Sequence, residues 1–147
     1  MDSKLQSELN TVISKVNQLG STIKRNAKKD MNSAAEIVAL AARQNAPKSS
    51  RAHRLFGNTI RPGTLKKAVA RIPLRRARVS AVVGIKAGKR YGAKDAFYGA
   101  FVERGTRFQS AQRFLERAAA ATGGQAQAYA IQLLLKRINE FEKGNFK

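Results

Sequence analysis

The sequence predicts an α+β domain: a long N-terminal helix, a small antiparallel sheet (a hairpin), short helices and a C-terminal amphipathic helix. Three observations predict it. Leu5, Leu9, Val12, Val16, Leu19 and Ile23 follow one another at intervals of 4, 3, 4, 3 and 4, the heptad-type spacing of a helix stripe. Val79, Ala81, Val83 and Ile85 alternate with Ser80 and Lys86, the period of a strand. Ala128, Ile131, Leu134, Leu135, Ile138 and Phe141 return to helical spacing.

The first stripe continues more weakly through Ala27, Met31, Ala34, Val38 and Ala41. Asp2 or Ser3 can cap its start, and Pro47 ends it, because a residue before proline is pushed out of helical geometry. A helix from Ser3 to Asn45 would be about 60 Å long, more than the width of a domain of this size. Part of the stripe is then expected to meet another chain. The alternative is two shorter helices folded on one core, with the bend or break at Gly20.

Residues 46–64, APKSSRAHRLFGNTIRPGT, read as a basic loop rich in proline, glycine and small polar side chains. KKAVARIPL, around Val69 and Ile72, and ARVSAVVGIKAG read as the two strands of an antiparallel hairpin linked by the basic LRRAR. Gly84 inside the second strand predicts a bulge or a close approach. After the polar AGKRYGAKDA, the helical spacing of Phe97, Phe101 and Val102 predicts a short helix, ended by Gly105 in left-handed geometry. FLERAAAA predicts another, broken by Gly123-Gly124 before the last helix begins. The whole reads as one domain over 1–147: a helix to position 46, a basic loop over 47–64, and hairpin and helices over 65–147.

Charge is the strongest compositional signal. The chain has 29 Lys+Arg against 9 Asp+Glu, a net +20. Between Glu36 and Asp95 there is no acid and there are 15 bases. Such a region attracts a polyanion: nucleic acid, an acidic protein surface or an anionic membrane.

Catalytic machinery is not evident. The chain has no cysteine and one histidine, His53, so thiolate and multi-histidine metal sites are excluded. GIKAGKRYG lacks the spacing of a phosphate loop. Glu103 and Glu116 stand among Arg104, Arg107, Arg113 and Arg117, so salt links are expected rather than a carboxylate pair. A Mg²⁺-dependent nuclease needs several acids, which 37–94 lacks. The expectation is a protein that is not an enzyme and takes no cofactor. No apolar run approaches the roughly 20 residues of a membrane helix, and MDSKLQSELN has no apolar core of the signal type. No membrane association and assembly in a cytoplasm are expected.

The segment 97–118, FYGAFVERGTRFQSAQRFLERA, carries a resemblance. Tyr98, Ala100, Val102, Glu103, Gly105 and Thr106, followed by Phe114, Leu115 and Ala118, resemble a pattern of the small head–tail joining proteins of tailed bacteriophages. That family is also called neck, tail-completion or minor tail component. Its pattern runs Tyr-Ala-x-x-Val-Glu-x-Gly-Thr, a polar spacer, then Pro-Phe-Leu-x-x-Ala. A long first helix ending in Ala46-Pro47, followed by SSRAHRLFGNTI, is also similar to the family's order. Arg113 stands where the family usually has proline, and the 48–64 loop is longer and more basic.

The resemblance implies a structural virion protein of the neck, assembled in the host cytoplasm. It would form a ring, generally of six copies, between the head-side connector or stopper and the tail terminator or tail tube. Tyr98, Val102, Glu103, Gly105, Thr106, Phe114 and Leu115 would be structural. Bottom-up, Glu103 at a helix end opposes the local dipole. It is therefore expected to find a partner, either backbone N–H groups of the 105–108 turn or an arginine. Arg75, Arg76, Arg78, Lys86, Lys89 and Arg90 are the candidate contacts to DNA or to an acidic partner. The alternative function is sequence-independent nucleic-acid binding, through phosphates, since no base-reading module is evident.

Overall fold

The computed structural model describes residues 3–55, 57–72, 80–88, 91 and 95–143, without the side chains of 3–9, 15, 16, 141 and 142. The fold is α+β. Helix α1 runs without interruption over Ser3–Asn45, which at 1.5 Å per residue is about 65 Å. Gly20 stays helical and meets nothing within 4 Å, so it neither bends α1 for contact nor breaks it.

The long final helix, α4, spans Phe114–Glu142 and packs against α1. The two run antiparallel. Ala42 of α1 and Ala46 just after it share a core with Phe114 and Ala118 at one end, and Asp30 meets Arg137 nearer the other. The buried side chains along the two helices are mostly small: Ala27, Ala34 and Ala42 on α1, and Ala118, Ala126 and Ala130 on α4. Asp30, also buried, takes the Arg137 guanidinium on both carboxylate oxygens, with Nη2 to Oδ1 at 2.8 Å and Nε to Oδ2. The expected break at Gly123-Gly124 does not occur. Both glycines lie in open space within the helix, and burial along α1 on either side holds the backbone against their weak propensity.

Between these helices come two hairpins, where the sequence predicts one. The segment 46–64, expected to be a loop, contains β1 (His53–Leu55) and β2 (Asn58–Ile60), antiparallel and joined through Gly57 at φ 79. Its strands are three residues long, and of their six side chains only Ile60 is buried, so there is no apolar alternation to read. The turn Pro62-Gly63 then starts α2 (Thr64–Ala68), where the Thr64 hydroxyl donates to the Arg61 carbonyl at 2.8 Å. Lys66, Lys67 and Ala68 are therefore helical rather than extended. Leu65 and Ala68 face inward and the two lysines outward.

The predicted hairpin is β3 (Val69–Ile72) with β4 (Val82–Ile85), in the register Val69↔Ile85 and Ile72↔Val82. Gly84 pairs with Ala70 in an unbroken register, so it marks a close approach and not a bulge. A Cβ there would lie 3.2 Å from Ile72 Cγ1. Asp95 Oδ1 accepts from the Gly88 and Phe97 amides at 2.8 and 3.1 Å, which returns the chain to the sheet. Helix α3 (Gly99–Arg104) then seats its backbone on the core: a Cβ at Gly99 would lie 2.8 Å from Ile85 and 2.9 Å from Leu65. The core gathers Ala42, Leu65, Ala68, Val69, Ala96, Phe114 and Ala118, with Val83, Ile85, Tyr98, Val102 and Leu115 against it.

Candidate functional site

The residues of the 97–118 segment form one junction. Helix α3 ends at Gly105, whose N–H donates to the Phe101 carbonyl at 2.8 Å. Gly105 has φ 79 and ψ 175, the extended positive-φ region that only glycine occupies comfortably, rather than the left-handed helical geometry expected. A Cβ would stand 2.7 Å from the Ala111 nitrogen and 2.9 Å from the Gln109 oxygen. Thr106 and Gln109 exchange backbone bonds at 2.8 and 3.3 Å, and the Thr106 hydroxyl accepts the Phe108 N–H at 3.2 Å. This tight turn carries Phe108 at its tip, 90% exposed, with the Arg107 guanidinium 5.4 Å from its ring centre.

Glu103 reaches across this turn to the start of α4. Its Oε2 accepts the Leu115 N–H and its Oε1 the Glu116 N–H, each at 3.0 Å. Its main-chain carbonyl accepts from Arg113 at 3.1 Å, and that of Val102 accepts from Gln112 at 3.0 Å. The partners are thus backbone N–H groups, as one expectation had it, but those of the next helix and not of the 105–108 turn. No arginine takes this carboxylate among the described residues; the local pair is Arg113 with Glu116 at 3.8 Å. An acid badly placed for the dipole of α3 is well placed for that of α4, where the first N–H groups lack intrahelical acceptors. Arg113, just before α4, has φ 45. A proline there could not take that backbone.

The remaining motif residues pack beneath the junction. Phe114 is fully buried, and Val102 and Leu115 lie against the same core. Tyr98 stacks edge-on against Phe97, 5.8 Å between centroids. Burial pushes its phenol up, while a hydrogen bond with the Leu65 backbone pulls the other way. On the outer side, Leu55, Ile60, Leu65, Tyr98, Phe101 and Phe108 contribute to an apolar groove of about 670 Å³ between the β1–β2 hairpin and α3.

A second, polar groove of about 760 Å³ lies between α1 and the β3–β4 hairpin, lined by Lys28, Asn32, Ser33, Glu36, Arg43, Arg71 and Lys86. Glu36 organises it, accepting from Arg43 Nη1 at 2.7 Å and Arg71 Nε at 2.8 Å. Arg43 also donates to the Val69 carbonyl at 2.9 Å, tying α1 to β3. Burial raises the Glu36 carboxyl, but the hydrogen bonds and charges of Arg43 and Arg71 together hold it below the ordinary value. Lys86 also lies 5.9 Å from the centre of the Tyr91 ring.

Of the six cations expected to contact a polyanion, Lys86 lies in this groove. Arg75, Arg76, Arg78, Lys89 and Arg90 lie outside the described residues. Sequence reasoning missed Lys28, Asn32, Ser33 and Arg43, because α1 was read for its apolar stripe and not for the polar face beside it. Among the described residues, no three His, Cys, Asp or Glu side chains gather as metal ligands, and no helix is long and apolar enough to cross a membrane.

Comparison with protein families, with curated proteins and with solved structures finds no match to this chain.

Proposed function

We propose that this chain is a structural, non-enzymatic protein of a tailed-phage neck, working as a ring, of about six copies, that joins the connector of the filled head to the tail. The observation that carries the reading is the junction of α3 and α4. Glu103, Gly105, Thr106, Phe114 and Leu115, the residues of the family-like pattern, act there as one unit: a glycine-only turn, a cross-helix cap and a buried aromatic anchor. A long helix that extends past the core adds support, since a ring subunit needs surface for its neighbours. Particles assembled without the chain should accumulate as separate filled heads and finished tails, and the purified protein should restore joining. Virions that join normally without it, or that contain none of it, would overturn the proposal.

A second reading, sequence-independent binding of nucleic acid, is favoured by the groove of Lys28, Arg71 and Lys86. It is compatible with the first, because DNA passes through a neck ring. Its cations would meet phosphates, and the expected signature is affinity that depends steeply on salt and not on sequence.

A further inference from the structure

Two apolar helix faces have no cover among the described residues. The first is the N-terminal part of α1. Among the described side chains of α1, every buried one lies at Asn26 or beyond; Val12 is 59% exposed and Ile23 48%. The antiparallel register explains this. With Arg137 against Asp30, α4 ends near position 25 of α1, so that roughly 35 Å of α1 continues past it. The second face belongs to α4, where Ile131, Leu135 and Ile138 are about half exposed, on a different face from the buried Ala126 and Ala130. A helix apolar on most of its circumference is normally enclosed on more than one side.

We infer that the α1 arm of one copy packs on the Ile131–Leu135–Ile138 stripe of α4 in a second copy. Three features select a second copy as the occupant. Both faces carry the 4,3 spacing that lets two helices interlock: Val12, Val16, Leu19 and Ile23 on one, Ile131, Leu135 and Ile138 on the other. Both are poor in charge: the arm has only Lys15 over 10–23, and the span 131–138 has Lys136 and Arg137, the second of them paired with Asp30. In a chain of net +20, such faces are where two identical copies approach with little repulsion, whereas an acidic partner would be drawn to the basic surfaces instead. Finally, the arm is long enough to span the stripe from end to end. The contact deepens the ring reading by naming which surfaces meet. Its test uses only the purified chain, so it can fail while the neck assignment stands, and the reverse.

The chain has no cysteine, which makes site-directed cross-linking clean. Val12→Cys and Leu135→Cys variants, one bearing a size tag, are mixed and treated with a short bis-maleimide. The expected product is the mixed Val12–Leu135 dimer, several-fold over either homodimer, and lost when Ile131→Glu is added to the Leu135→Cys copy. Ile131 is exposed, so an unchanged melting curve for that variant keeps the loss interpretable. A dominant Val12–Val12 product would mean that arms pair with each other. A dominant product between Val12→Cys and Phe108→Cys would place the arm in the apolar groove beside α3. Either result, or no intermolecular product at any concentration, overturns the inference.

Discussion

Glu103 belongs to the last turn of one helix and bonds to the first turn of another, so its charge relates in opposite ways to two dipoles. With glutamine, one side-chain oxygen remains to accept where the carboxylate uses two. Glu103→Gln should therefore cost about 1–2 kcal/mol, a fall in Tm of roughly 3–6 °C for a chain of this size. Gly105 is less replaceable, because its backbone lies where side chains strain and its missing Cβ would strike backbone atoms of Gln109 and Ala111. Gly105→Ala should cost about 2–3 kcal/mol and lower Tm by roughly 5–10 °C. Thermal melts of the two variants should keep that order; a neutral Gly105→Ala would mean that the turn can be rebuilt. A partner for Glu103, and positive φ at Gly105, were legible from a lone acid set before a glycine. Which N–H groups it serves was not, since Leu115 and Glu116 come within reach only through the geometry of the turn.

At the scale of elements, α1 and the β3–β4 hairpin were legible because one has a heptad repeat and the other alternates. The β1–β2 hairpin was not, because its short, mostly exposed strands leave no periodic trace. Gly123-Gly124 misled in the other direction: local propensity argues for a break, and packing along α1 overrides it. The helix there still carries the weakness. Neither glycine has a neighbour within 4 Å, so Gly123→Ala and Gly124→Ala should each stabilise the protein by about 0.5–1 kcal/mol. A loss of stability in both would show that α4 needs to flex at that point. The tie between α1 and β3 should respond to acid. Glu36 titrates below its ordinary value, so its contribution is fully present above the unfolded-chain pKa, about 4.3. That contribution is lost as the pH falls through the lower folded value. The drop in Tm between about pH 5 and pH 3 should be smaller in Glu36→Gln than in the parent. Equal drops would assign the acid sensitivity to other carboxylates.

Over the whole molecule, the charge distribution sets what the protein can approach. The acid-free stretch 37–94 supplies Arg71 and Lys86 from the β3–β4 side of the polar groove, and α1 brings Lys28 and Arg43 to the other. Half of that arrangement was legible as composition. The rest depends on α1 passing beside the hairpin, which composition does not encode. Glu36 engages Arg43 and Arg71 together, so the groove holds its cations in place without cancelling them. A duplex laid along it would displace condensed counterions, and log affinity should fall with log salt by about 0.9 for each phosphate neutralised. Lys28→Ala and Lys86→Ala should each reduce that slope by about 1 if the side chain meets a phosphate, equally for duplexes of unrelated sequence. Arg71→Ala should do more than remove a cation. It releases one side of Glu36, leaving an acid less compensated in the groove, so binding at low salt should weaken beyond the loss of one contact. Filter binding or anisotropy across a salt series would measure all three. An unchanged slope in the two lysine variants would show that the groove does not carry the DNA, and would leave its charge to dock an acidic face of a neighbouring ring.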